Sequence, residues 1–242
     1  MPHDPLNFAR RAEPSELNEW MDEPCSYEEF RACLIDLAKV NRITLAHRAT
    51  LQWLDRVLRT TKPQQPLQIV DVGCGGGDLL RAIAAWAERR RVQVVLTGID
   101  LNPYAAQAAR EFGTTNTKIR WVTGNALTLT EPQEIDIIVN SLFTHHLAAA
   151  EIVQFLAWME TSARVGWFIN DLYRTRFTYH LFQALAGVSG WHRFVQHDGP
   201  VSIRRSFREQ DWERMCNSAG IDHESVEIAR RFPGRLCVGR IK

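Results

Sequence analysis

Chemistry concentrates first in Val70-Asp71-Val72-Gly73-Cys74-Gly75-Gly76-Gly77-Asp78-Leu79. Glycines let the chain turn sharply and let a ligand approach the backbone closely. The spacing is G-x-G-x-G, with Asp71 two residues before the first glycine. A Walker loop would need Gly-Lys-Ser/Thr after the glycines, and none is present. A dinucleotide loop, G-x-G-x-x-G, would put its third glycine at Asp78, so that match fails. A carboxylate at Asp71 is a poor neighbour for a pyrophosphate and suits a cationic group such as an amine. Asp100 ends the run Gly98-Ile99-Asp100. It follows Gly77 at close to the roughly 20 residues at which an acid meets ribose hydroxyls. Both hydroxyls are donors and a carboxylate accepts from both.

Two further stretches hold titratable groups. Asn140-Ser141-Leu142-Phe143-Thr144-His145-His146-Leu147 follows an apolar run, and His145 and His146 are candidate general bases. Adjacent residues point differently, so one of the two is expected to face a substrate. Residues 171–208 are too long for a plain connection, and long insertions tend to be functional. They mix aromatic and basic side chains, among them Tyr173, His180, Trp191, His197 and Arg204. Such a mixture suits a flat, acidic or phenolic compound. His192 and His197 miss the helical i, i+4 pairing and lack acid or Cys partners at ligand spacing, so no metal is expected.

The elements that would position these groups follow from periodicity. Ser26 and Glu29 form a capping box ahead of Phe30, Cys33, Leu34 and Leu37 at helical spacing. A second helix runs through Leu51, Leu54, Val57 and Leu58 until Pro63 and Pro66. Short apolar runs at 67–72, 92–99, 119–123, 135–140 and 165–170 read as strands. They alternate with helices at 78–90, 103–112 and 151–161, the second with Asn102 as cap and Pro103 at its first position. This alternation implies a mostly parallel, doubly wound sheet. Residues 209–219 read as a helix, and 225–232 and 236–241 as strands joined at Pro233-Gly234. A pair joined that tightly is antiparallel. Residues 1 to about 25 read as an irregular or loosely helical arm.

VDVGCGGGDL, GIDLNP, TGNA and DIIVNSLFTHHL, with the terminal hairpin, resemble in their order the motifs of class I S-adenosylmethionine-dependent methyltransferases. The resemblance covers about residues 65–242. It implies a seven-stranded, Rossmann-like α/β fold with an antiparallel terminal hairpin. It also implies an N-terminal helical cover at 1–65, a cofactor-binding domain at 66–242 and a substrate lid at 171–208. By resemblance, Asp71, Gly73, Cys74, Gly75 and Gly77 would hold the methionine part of S-adenosylmethionine. Asp100 would hold its ribose, and Leu101 would lie against the adenine. Asn125, followed by Ala126, stands where the family commonly has Asp, and its side-chain oxygen still accepts a hydrogen bond. Asn140 and the residues after it would line the space between cofactor and acceptor. The lid resembles, less specifically, bacterial methyltransferases of polyketide and quinone biosynthesis. The implied activity is O-methylation of an aromatic or polyketide-like hydroxyl, leaving S-adenosylhomocysteine. Alternatives are C- or N-methylation, an RNA or protein methyltransferase, and a non-catalytic cofactor binder.

The whole chain sets bounds on these readings. It has 242 residues, 45% apolar and 24% charged, ordinary for a globular protein with one large core. A net charge of +1 argues against a dedicated nucleic-acid binder. No window approaches a membrane span and the N-terminus does not read as a signal peptide. The five cysteines are odd in number and form no CxxC pair, which fits a reducing cytoplasm. A homodimer remains open.

Overall fold

The structure, a computed structural model, describes residues 7–62, 66–113, 118–128 and 134–242. Among the described residues, seven strands form one sheet: β1 (Leu67–Val72), β2 (Val94–Asp100), β3 (Ile119–Thr123), β4 (Ile135–Ser141), β5 (Ala163–Leu172), β6 (Glu227–Arg231) and β7 (Arg235–Ile241). Their order is β3-β2-β1-β4-β5-β7-β6. The first five are parallel, and β7 inserts antiparallel between β5 and β6. Ile137, Ile138 and Val139 of β4 are fully buried, as a central strand covered on both faces requires. Pro233-Gly234 makes the expected turn, with Gly234 at φ 61°.

Helices α1 (Tyr27–Ile43), α2 (Arg48–Thr61), α3 (Asp78–Arg90), α4 (Ala105–Glu111), α5 (Ala149–Ser162), α6 (Arg176–Ser189), α7 (Arg193–Arg205) and α8 (Glu209–Ser218) surround the sheet. The Ser26–Glu29 capping box opens α1, each residue satisfying the other's backbone N–H. Phe155, Leu156 and Met159 of α5 and Trp212 of α8 pack on one face of the sheet. Trp53, Leu54 and Val57 of α2 join Leu80 and Ile83 of α3 on the other. Thus α2, expected in the cover, packs on the sheet itself, with Trp53 stacked on Phe168 at 5.2 Å.

Several boundaries differ from expectation for local reasons. Asn102 accepts from the Tyr104 N–H through its side chain, so residues 102–104 form a turn. Pro103 therefore lies before α4, which starts at Ala105. Strand β2 starts at Val94, after Arg91 adopts a left-handed conformation that closes α3. The strand expected from Ser225 starts at Glu227, because Asp222 caps a 3₁₀ turn at His223–Ser225. Helix α2 ends at Thr61; Pro63 lies outside the described residues.

Residues 171–208 form α6 and α7, packed against each other. Gly199 permits their closest approach, since a Cβ there would sit 1.9 Å from Phe182 Cε1. The arm is irregular, as expected, and anchored. The Asp198 carboxylate accepts from the Trp20 and Met21 N–H groups, and buried Arg11 donates to the Arg205 and Leu147 carbonyls.

Candidate functional site

A cavity of about 1310 Å³ opens at the carboxyl ends of β1, β2, β4 and β5, roofed by α1, α6 and α7. Open α/β sheets bind ligands at this end. Its volume exceeds the roughly 300–1,000 Å³ common for one small ligand, so two fit. The glycine turn forms one wall. Gly73, Gly75 and Gly77 all have positive φ, which glycine adopts without strain. A Cβ at Gly73 would fall 2.3 Å from the Phe143 ring, so that position also excludes side chains.

Asp71, Gly73, Cys74, Gly75, Asp100, Leu101, Asn125 and Ala126 all line this cavity. Gly77 does not; its missing side chain makes room for Trp121, and Gly76 faces the cavity instead. Asn140 does not either. Side chains alternate along β4, so Asn140 points into the core towards Met159 while Ser141 meets the cavity.

The two acids differ in their satisfaction. Asp100 accepts from the Gly75 N–H at 2.8 Å and the Asn102 N–H at 2.9 Å, which fixes its carboxylate. Asp71 is buried and its Oδ1 has no partner. Burial, then the neighbouring charges of Asp78 and Asp100, push the Asp71 carboxyl well above its ordinary range. An orphaned buried carboxylate fits a ligand that brings positive charge. Burial likewise holds the Cys74 thiol in its neutral form, so it packs rather than reacts.

His145 and His146 follow β4 on a short 3₁₀ turn, and their rings lie 4.3 Å apart. Both line the cavity. His145 is buried, with Nδ1 2.7 Å from Asp171. Asp171 also accepts from the Thr144 hydroxyl and the His145 N–H. Burial alone would raise the Asp171 carboxyl; the electrostatic pull of the adjacent His145 ring and these hydrogen bonds outweigh it and hold it well below the usual range. His146 Nδ1 meets Asp22 at 2.8 Å. Burial opposes its charged form, but Glu19 and Asp22 prevail and push it up to about 9.

Glu19, from the arm, stands between the two imidazoles: Nε2 of His145 is 3.9 Å away and Nε2 of His146 is 3.8 Å. These three side chains each offer a ligand atom within 4.8 Å of one another, the arrangement a cation would need. The spacing of histidines in the sequence did not reveal it. Arg205 Nη1 donates to the neighbouring Asp22 at 2.9 Å and forms an ion pair with Glu19 at 3.4 Å.

The acceptor end departs most from expectation. Tyr173 lines the cavity, whereas His180, Trp191, His197 and Arg204 do not. His180 faces solvent at the outer side of α6. Trp191 packs beneath α6 with Phe182 and Phe194. His197 stacks on Trp20 at 4.0 Å. Arg204 is buried over the Phe8 ring of the arm. None of these four side chains reaches the cavity, a placement the composition of the segment did not disclose. The cavity side of α6 is instead apolar, through Phe177, Leu181 and Phe182. Sequence reasoning missed Glu19, Asp171 and Arg235, which meet the site only through tertiary packing.

Residues 69–166 match the family model described as a methyltransferase domain. The chain is 26% identical over 225 residues to the ubiquinone biosynthesis O-methyltransferase of Leptothrix cholodnii, covering 90% of this chain and 83% of that one. It is 25% identical to that of Albidiferax ferrireducens, over 90% and 81%. Among solved structures, it resembles the plantazolicin methyltransferase BpumL in complex with a triazolic desmethylPZN analog and S-adenosylhomocysteine. The TM-score is 0.63 at 16% identity, covering 88% and 96%. The magnesium protoporphyrin IX methyltransferase of Synechocystis shares the fold at TM-score 0.52 and 14% identity, over 82% and 84%.

Proposed function

We propose that this chain, a class I S-adenosylmethionine-dependent methyltransferase, methylates a hydroxyl of a small aromatic acceptor, with His145 as the base. One observation carries the reading: the orphaned Asp71 carboxylate and His145, whose Nδ1 is held from behind by Asp171, line the same cavity. The bound cofactor supplies a sulfonium-activated methyl group. Asp71 would receive its amino group and so gain the partner that burial denies it. Asp100, already fixed by two backbone donors, would accept from the ribose hydroxyls. Leu101, Asn125 and Ala126 would border the adenine.

Asp171 only accepts, so a His145 acting as base would direct its Nδ1–H to Asp171 and present its lone pair at Nε2. Nε2 would take the acceptor's hydroxyl proton as the oxygen attacks. Asp171 and the nearby Glu19 would then stabilise the imidazolium. His146 is the weaker choice of base. Pushed up to about 9, it is already protonated near neutral pH. The apolar face of α6 would hold the acceptor's ring and exclude water.

The test is transfer of labelled methyl from S-adenosylmethionine to a panel of phenols, catechols and their acids, with products identified by mass spectrometry and NMR. Label on oxygen in the organic extract supports the reading. Label on carbon or nitrogen, or retained in macromolecule, overturns it. Asp71→Asn should weaken cofactor binding about tenfold, the range for losing a charge-assisted contact.

A further inference from the structure

Arg235 opens β7 immediately after the Pro233-Gly234 turn and lines the cavity, at 4% exposure. Three other buried arginines of this region make side-chain hydrogen bonds, although Arg205 Nη2 has no partner. Arg11 donates to the Arg205 and Leu147 carbonyls, Arg174 to Asp211, and Arg205 to Asp22 and the His145 carbonyl. Arg235 Nη1 has no hydrogen-bond partner. Burial disfavours its charge and lowers its pKa, and nearby groups, Asp171 foremost, oppose this only through space. A guanidinium is a fork of fixed donors that cannot be discharged near neutral pH, so a buried one calls for an anion.

Its backbone is held firmly. Arg235 pairs with Leu172 across β5 and β7, next to Asp171. The Gly234 carbonyl accepts from the Tyr173 N–H at 2.9 Å. Gly234 leaves no room for a side chain, since a Cβ would meet Thr178 of α6 at 2.9 Å. The same cavity is lined by the apolar Phe177, Leu181 and Phe182 of α6. The sequence placed positive charge for an acidic acceptor on the lid; in the structure the lid offers the apolar wall and the hairpin offers the cation.

We infer that Arg235 is an acceptor-binding residue that takes a carboxylate, so that the acceptor is an aromatic hydroxy acid. The inference rests on this cavity being the acceptor site. The guanidinium would receive the carboxylate through parallel N–H donors, the ring would lie against α6, and the hydroxyl would face His145.

Calorimetric titration of the full chain saturated with S-adenosylhomocysteine tests it, using 3,4-dihydroxybenzoate against catechol and 2,4-dihydroxybenzoate against resorcinol. At least one acid should bind about tenfold or more tightly than its neutral counterpart, and Arg235→Met should abolish that preference. If neither acid outbinds its counterpart, or the preference survives in Arg235→Met, the inference fails. The wild-type comparison alone decides should the variant not fold. Heat from S-adenosylhomocysteine without preference for acids refutes the anion anchor and leaves methyl transfer standing. Absence of that heat refutes the underlying reading.

Discussion

At the site, His145 and His146 are chemically separated by their neighbours. Asp171 fixes the His145 tautomer, whereas Glu19 and Asp22 hold His146 in its charged form. The pair was legible in the sequence as two adjacent imidazoles. The division between them was not, because Asp171 is 26 residues from His145 and Glu19 lies on the opposite arm. His145→Gln should lower kcat by about 10²–10⁴, the usual contribution of a general base, with S-adenosylhomocysteine affinity unchanged. Asp171→Asn should also lower kcat, by leaving the wrong ring nitrogen protonated. His146→Gln should cost less than about tenfold. Single-turnover rates beside cofactor titrations check all three. An inactive His146→Gln with an active His145→Gln reverses the assignment.

Between elements, the arm, the His turn and α7 are bound by charge, and this makes their docking depend on pH. His146 is pushed from 6.5 up to about 9 in the folded chain. It is thus protonated over that window only while the chain is folded. The stabilisation is complete below pH 6.5 and is lost as pH rises through about 9. Urea unfolding at pH 6.5 and 9.5 should show about 1–3 kcal/mol more loss in the wild type than in His146→Gln. Equal losses would remove His146 from the docking. Helices α6 and α7 depend on shape instead. Gly199→Ala gains helix propensity worth about 1 kcal/mol, but the added methyl meets Phe182. Overpacking of about 1–3 kcal/mol should win, giving net destabilisation, and Phe182→Ala should relieve it in a double-mutant cycle. Neither helix was assigned from the sequence, and Pro200, a residue type that disfavours a helix interior, lies inside α7. The strands were legible because their apolar runs are short and bounded. The faces of α6 and α7 were not, because aromatic residues serve both the cavity and the contact with the arm.

Across the whole molecule, the one cavity proposed for both cofactor and acceptor has walls that come from distant parts of the chain. The glycine turn and Asp100 belong to the parallel half, Arg235 to the antiparallel hairpin, and Glu19 to the arm that docks on α7. A ligand in the cofactor half therefore bears on the fold as a unit, through linkage. S-adenosylhomocysteine at about 100 times its Kd should add about 2.7 kcal/mol to the unfolding free energy. For a chain of 242 residues, each kcal/mol moves Tm by about 2–4 °C, so Tm should rise by about 5–10 °C. A nicotinamide dinucleotide should give no comparable rise. Its pyrophosphate would meet Asp71 and Asp100 where a sulfonium nucleoside meets matching charge and donors. A scanning-calorimetry shift with the dinucleotide and none with S-adenosylhomocysteine would mean that the two acids face a different ligand.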